Sequence, residues 1–178
     1  ADLSCFSLLR PFSELAIVKQ FSHLTQYFPH FSSCNRNFHL AGSQNSEGHW
    51  CGKCPKCTFV FLVLAPFVQK QQLEQIFEAN LLANDSMLPL FQELMGIKGI
   101  KPFECVGEIE ESIWALGQLS NRSEWQNIPL VKKLSGDLNT LSQQDNEGLF
   151  KNSDRHQIPK KRSFRNVLEF FAKVNVGT

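Results

Sequence analysis

Residues 51–68 read CGKCPKCTFVFLVLAPFV. Cysteines stand at 51, 54 and 57, with Lys53 and Lys56 in the gaps, and an apolar run follows without a break. Three of the six cysteines of the chain fall within these seven residues. They are too close together to serve as a disulfide framework, and no secretory signal is visible in the sequence. Clustered cysteines in such a setting usually hold a metal. The run 58–68 is eleven residues interrupted by Pro66. That is too short to cross a bilayer, so it reads as a core helix from about Thr58 to near Pro66.

Four thiolates close a structural zinc site, and Cys51, Cys54 and Cys57 supply three of them. At the start of the following helix, free backbone N–H groups and the helix dipole favour thiolate. Cys34, in SSCNRNF across a polar loop, is the nearest candidate for the fourth ligand. His39 and His49 compete with it, because zinc also accepts imidazole. Lys53 and Lys56 would offset the negative charge of a zinc held by four thiolates, and Gly52 and Pro55 shape the tight turns. The spacing also suits an iron–sulfur cluster. Those runs continue to a fourth cysteine, usually followed by proline, where this sequence has Thr58. Cys5 and Cys105 stand alone.

The rest of the chain reads as mainly α. With 178 residues, sixteen Phe and three Trp, it can fill a core. A net charge of +1 argues against wholesale nucleic-acid binding, and the one basic run is PKKRSFR at 159–165. No membrane partner is expected. Ser13 reads as the N-cap of a helix through SELAIVKQFSHL. Helical periodicity recurs in QLEQIFEANLLA and again through Phe91 and Leu94, where Asp85 or Ser86 would cap and Gly96 would stop the helix. Ile109, Ile113 and Leu116 place a further helix behind CVGEIEES. Glu110 and Glu111 then read as a solvated acidic first turn. A short strand is drawn at Leu3–Leu9. Residues 1–134 form a helical metal-binding domain, 135–163 a polar linker or long loop, and 164–178, with FRNVLEFFAKV, a closing amphipathic helix.

SCNRNF followed by HWCGKCPKC resembles the C-terminal zinc site of 7-cyano-7-deazaguanine synthase and related ATP pyrophosphatases. The order SLLRPFSEL, SCNRNF, WCGKCPKCTFVFLVLAPF and KPFECVGEIEE is closer to the bacterial UDP-N-acetylmuramoyl-L-alanyl-L-glutamate epimerase family, over about Leu3 to Trp114. The resemblance implies the helical, zinc-containing C-terminal part of an α/β ATP-pyrophosphatase-like protein. It further implies a cytoplasmic enzyme that uses ATP and Mg²⁺ to activate the terminal L-glutamate of a UDP-linked muramoyl dipeptide and invert it. The phosphate loop of ATP pyrophosphatases, Ser-Gly-Gly-x-Asp-Ser, has no counterpart here; SGDLNT from residue 135 shares only two letters. The chain is therefore expected to lack an N-terminal ATP-binding half and to be inactive alone.

Within KPFECVGEIEE, Cys105 or Glu108 is the candidate base for removing a substrate α-proton. Arg10 and Arg36 are candidates for holding substrate or nucleotide phosphates, because a guanidinium forms bidentate bonds to such groups. Two other readings stand beside the epimerase. One is a fragment of a nucleobase-modifying ATP pyrophosphatase; the other is a non-enzymatic zinc module for interactions.

Overall fold

The computed structural model describes residues 5–37, 49–138 and 148–153, together with Ile158 and Glu169. The chain is mainly helical, with no strand among the described residues. Among the described residues six α-helices follow in order: α1 Glu14–Phe21, α2 Pro55–Leu64, α3 Lys70–Phe77, α4 Leu88–Leu94, α5 Ile109–Ser120 and α6 Pro129–Leu138. Short 3-10 turns at Thr25–Tyr27, Asn35–Asn37, Leu81–Ala83 and Asp85–Met87 join them.

Helix α2 is the hub, packing against α1, α3, α4 and α5, while α5 packs against α6. Its sequence explains this. Cys57, Thr58, Phe59, Phe61, Leu62, Val63 and Leu64 are all buried, so the helix is apolar on every side and must be surrounded. Its C-terminal carbonyls are met from α5's end: Arg122 Nη1 donates to Ala65 O at 3.1 Å and to Pro66 O at 2.7 Å. The expected core helix therefore exists, but it starts earlier. Cys54 is its N-cap and Pro55 opens its first turn, where a fixed φ and a missing N–H do no harm.

Aromatic rings run through the core beside it. Phe21 meets Phe31 at 4.6 Å, Phe31 meets Trp50 at 5.1 Å and Trp50 meets Phe77 at 4.6 Å. Phe77 continues to Phe61 at 5.2 Å, and Phe61 to Trp125 at 6.1 Å. The indole N–H of Trp50 is buried without a partner.

The Ser13 cap is as read: its Oγ accepts from Ala16 N at 3.0 Å. Other expectations need correction. The described part of Leu3–Leu9 is not a strand; Leu8 to Pro11 turn, with Phe12 N donating to Leu9 O. QLEQIFEANLLA is not one helix. α3 ends as Glu78 takes a left-handed φ of 54°, and Asn80 then caps a separate turn by accepting from Leu82 N at 3.0 Å. Asn84, rather than Asp85 or Ser86, caps the turn leading into α4. Helix α6 runs to Leu138, four residues into the stretch read as linker. PKKRSFR and, apart from Glu169, the closing helix lie outside the described residues.

Candidate metal centre and adjoining cleft

The four sulfur atoms of Cys34, Cys51, Cys54 and Cys57 all lie within 4.8 Å of one another. Local structure brings them there. Ser32 Oγ donates to His49 O and accepts from Cys34 N at 3.3 Å, which ties the Cys34 segment to the start of the cluster. Cys54 caps α2, its Sγ accepting from Cys57 N at 3.4 Å, and Cys51 Sγ accepts from Lys53 N at 3.5 Å. Cys34, Cys54 and Cys57 are buried and Cys51 is half-buried.

Sulfur–sulfur distances are 4.0 Å for Cys34–Cys54, 3.7 Å for Cys51–Cys57 and 3.4 Å for Cys54–Cys57. A tetrahedron of thiolates with metal–sulfur bonds of about 2.3 Å has edges of about 3.8 Å, so the arrangement fits a tetrahedral thiophilic ion. All six cysteines are free, and these separations are far beyond a disulfide bond. The thiol chemistry points the same way. The hydrogen bond between the Cys54 and Cys57 sulfurs pulls Cys54 down to about 4. The same contact, with burial, holds Cys57 up, and burial raises Cys51. The lowered Cys54 stands at the helix start, where free N–H groups favour a thiolate. His49 is not in the set. It lines a separate cavity of ≈ 350 Å³ with Gln72 and Glu78, and His39 lies outside the described residues.

A cleft of ≈ 660 Å³, lined by none of the four clustered cysteines, opens between the α1 and α5 starts. Arg10 and Ser13 line one wall, Cys105, Glu108 and Glu110 another, and Lys151 a third. Three of the four residues expected to act on substrate are thus brought together. Arg36 is not among the lining residues; it is exposed on the Asn35–Asn37 turn. Cys105 is exposed and holds a φ of 49°, uncommon for any residue with a side chain. Glu108 pairs with Lys101 at 3.3 Å.

Glu111 departs from its reading as a solvated charge. It is 3% exposed. Its Oε1 accepts from Leu15 N at 3.0 Å and its Oε2 from Glu108 N at 2.7 Å. One carboxylate therefore joins the first turn of α1 to the N-cap of α5 and fixes the angle between two cleft walls. Burial pushes its carboxyl above the usual carboxylate range, although the two N–H donors pull downward. Gly107 packs so closely that an added Cβ would lie 2.3 Å from Glu111 Oε2 and 2.4 Å from Phe59 Cζ. The sequence signal was Glu108-x-x-Glu111, the spacing of a capping box. Lys151 carried no signal, since it stands in the stretch read as linker. Lys56, expected to offset the charge of the sulfur cluster, also has a partner in the cleft wall: its Nζ donates to Cys105 O at 2.5 Å.

The family model described as the MurL C-terminal domain matches residues 30–149. The chain belongs to the MurL C-terminal domain family. Among curated relatives, the UDP-N-acetyl-alpha-D-muramoyl-L-alanyl-L-glutamate epimerase of Xanthomonas oryzae pv. oryzae is 49% identical over 138 residues, 78% of this chain and 30% of the relative. The epimerases of the same name from Salinispora tropica and a Micromonospora species are 46% and 44% identical over 129 residues, each alignment covering 72% of this chain and 28% of the relative. This member of the MurL family thus spans under a third of the length of the relatives it matches. No solved structure matches it. No described helix is long and apolar enough to cross a membrane.

Proposed function

We propose that this chain is the C-terminal part of an ATP-dependent epimerase that converts the terminal L-glutamate of UDP-N-acetylmuramoyl-L-alanyl-L-glutamate to D-glutamate, a step of peptidoglycan precursor synthesis in the cytoplasm. The observation that carries the proposal is the cleft, where Arg10, Cys105 and Glu108 face one space in a chain 44–49% identical to epimerases of that name.

The chemistry requires activation first. A free carboxylate resists loss of its α-proton, because the carbanion would form beside a negative charge. Attack of the glutamate α-carboxylate on the α-phosphorus of ATP gives the acyl adenylate and releases pyrophosphate. The α-proton is then acidic enough for a base to remove it, and return of a proton to the opposite face inverts the centre. Water then cleaves the mixed anhydride, giving the D-carboxylate and AMP. Cys105 or Glu108 serves as the base, and Arg10 anchors carboxylate or phosphate oxygens. Arg36 serves an anion from outside the cleft.

The sequence has no Ser-Gly-Gly-x-Asp-Ser loop for ATP phosphates, so Mg²⁺–ATP binding belongs to the ATP-pyrophosphatase-like remainder of the longer enzyme. Zinc is the metal suited to Cys34, Cys51, Cys54 and Cys57, as a structural ion held by a closed thiolate set. With no open position, it contributes folding energy and no chemistry at the substrate.

The test incubates the UDP-linked dipeptide, ATP and Mg²⁺ with this chain, and separately with the longest reading frame that contains it. The long protein should form D-glutamate and AMP, and this chain neither. Loss of turnover in Cys105→Ala or Glu108→Gln of the long protein would identify the base. A well-folded long protein without activity would overturn the assignment.

A further inference from the structure

The metal centre and the cleft share their supports. Lys56 stands between two sulfur ligands, Cys54 and Cys57, on the first turn of α2. Its ammonium reaches past them to the Cys105 carbonyl, its Nζ lying 6.0 Å from the centre of the Phe59 ring. Phe59, 1% exposed on the same helix, closes the space above Gly107. A second bridge leaves the other side of the metal set. Asn35, next to Cys34, donates from Nδ2 to Glu104 Oε2 at 3.1 Å, and Glu104 precedes Cys105. The residues flanking the sulfur ligands thus hold Glu104 and the Cys105 carbonyl, where the chain takes its left-handed conformation.

We propose that the thiolate metal centre positions the Cys105–Glu108 wall of the cleft, with Lys56 as the positioning residue that links them. A left-handed φ at a residue with a side chain persists only where its surroundings over-determine it. Here the determinants are one charged donor, one side-chain amide and one ring, and all are anchored where the ion anchors the chain. Metal loading then does more than hold the domain together: it sets where the Cys105 sulfur and the Glu108 carboxylate stand relative to Arg10. The catalytic consequence rests on the epimerase reading of the cleft; the structural coupling does not.

The experiment is amide hydrogen exchange on this chain, loaded with zinc, with metal content measured in parallel. Lys56→Met keeps the aliphatic stem and removes the donor. It should keep the parent's metal content while exchange of the Glu108 amide, which donates to Glu111 Oε2, speeds up by about tenfold or more, the size expected for losing one hydrogen bond from a charged donor. Lys56→Arg should restore slow exchange. Stripping the metal from the parent with a chelator should speed the same amide together with those of Lys53 and Cys57, which donate to ligand sulfurs. Should Lys56→Met fail to fold, the chelation arm decides alone. Unchanged exchange of the Glu108 amide after either treatment, with Lys53 and Cys57 released by chelation, would overturn the coupling. Because no arm uses substrate, that result leaves the epimerase assignment intact. Conversely, an inactive full-length protein with the expected exchange pattern removes the assignment and leaves the coupling.

Discussion

Substituting alanine at Gly107 and at Gly117 should have opposite effects on stability. At Gly107 the new Cβ would lie 2.3 Å from Glu111 Oε2 and 2.4 Å from Phe59 Cζ. Neither neighbour can yield cheaply. Glu111 is pinned by two backbone N–H groups, and Phe59 is 1% exposed inside the core. Overpacking a filled site costs about 1–3 kcal/mol, and displacing Glu111 from one charged hydrogen bond adds about 1.5–3 kcal/mol. The sum, about 2.5–6 kcal/mol, corresponds to a fall in Tm on the order of 10 °C for a chain of this size. Gly117 lies inside α5 with nothing within 4 Å of an added Cβ. Alanine there only improves helix propensity and should stabilise by about 0.5–1 kcal/mol. Both variants are compared with the parent by thermal and urea unfolding followed by circular dichroism. A Gly107→Ala protein as stable as the parent would refute the argument that Glu111 and Phe59 are fixed. A Gly117→Ala protein as damaged as Gly107→Ala would show that the two sites do not differ as the packing says.

Other outcomes follow from the same structure. Metal analysis should give about one zinc per chain, and Cys34→Ser should lose most of it; full occupancy in that variant, or iron with visible absorbance, would exclude a closed zinc site of these four cysteines. Complete chelation should lower Tm substantially, because the site does not exist in the unfolded chain, and an unchanged Tm in metal-free protein would remove its structural role. Glu111 has a folded-state pKa above its ordinary 4.5, so its favourable contribution is complete below that value and lost as pH rises through the folded pKa. The stability difference between parent and Glu111→Gln should therefore shift against the parent as pH rises from about 4 towards neutrality; a difference independent of pH would contradict this. Arg122→Ala leaves the Ala65 and Pro66 carbonyls without their donor and should destabilise by about 1–2 kcal/mol, allowing for its partial exposure; a loss under about 0.3 kcal/mol would show that water replaces the guanidinium.

Features set by local chemistry were legible in the sequence. Ser13 caps α1 because a hydroxyl at that position can reach a first-turn N–H, whatever the tertiary structure. The burial of α2 followed from a run with no polar face. The convergence of Cys51, Cys54 and Cys57 followed from spacing, and Cys34 joined them as read, because a polar loop lets the chain return. What stayed hidden depends on distant partners. Glu111 looks like any first-turn glutamate until Leu15, 96 positions away, donates to it. Lys56 looks like a counter-charge to sulfur until the Cys105 carbonyl, 49 positions on, comes within its reach. The extension of α6 to Leu138 was masked because Ser135, Gly136 and Asp137 are poor helix formers; Leu130, Val131 and Leu134, packed into the core, outweigh them.

Trp50 gives the assembly an optical consequence. Its indole ring is wedged between Phe31, from the segment that leads to Cys34, and Phe77 of α3, and its own chain continues directly into Cys51. When the two cysteine-bearing segments separate, this ring leaves an apolar slot for water, while Trp125, fully buried deeper in the core, has no such reason to move. Emission from Trp50 should therefore redden as the segments part, which supplies a label-free light signal for ion loading at a position where no dye has to be attached.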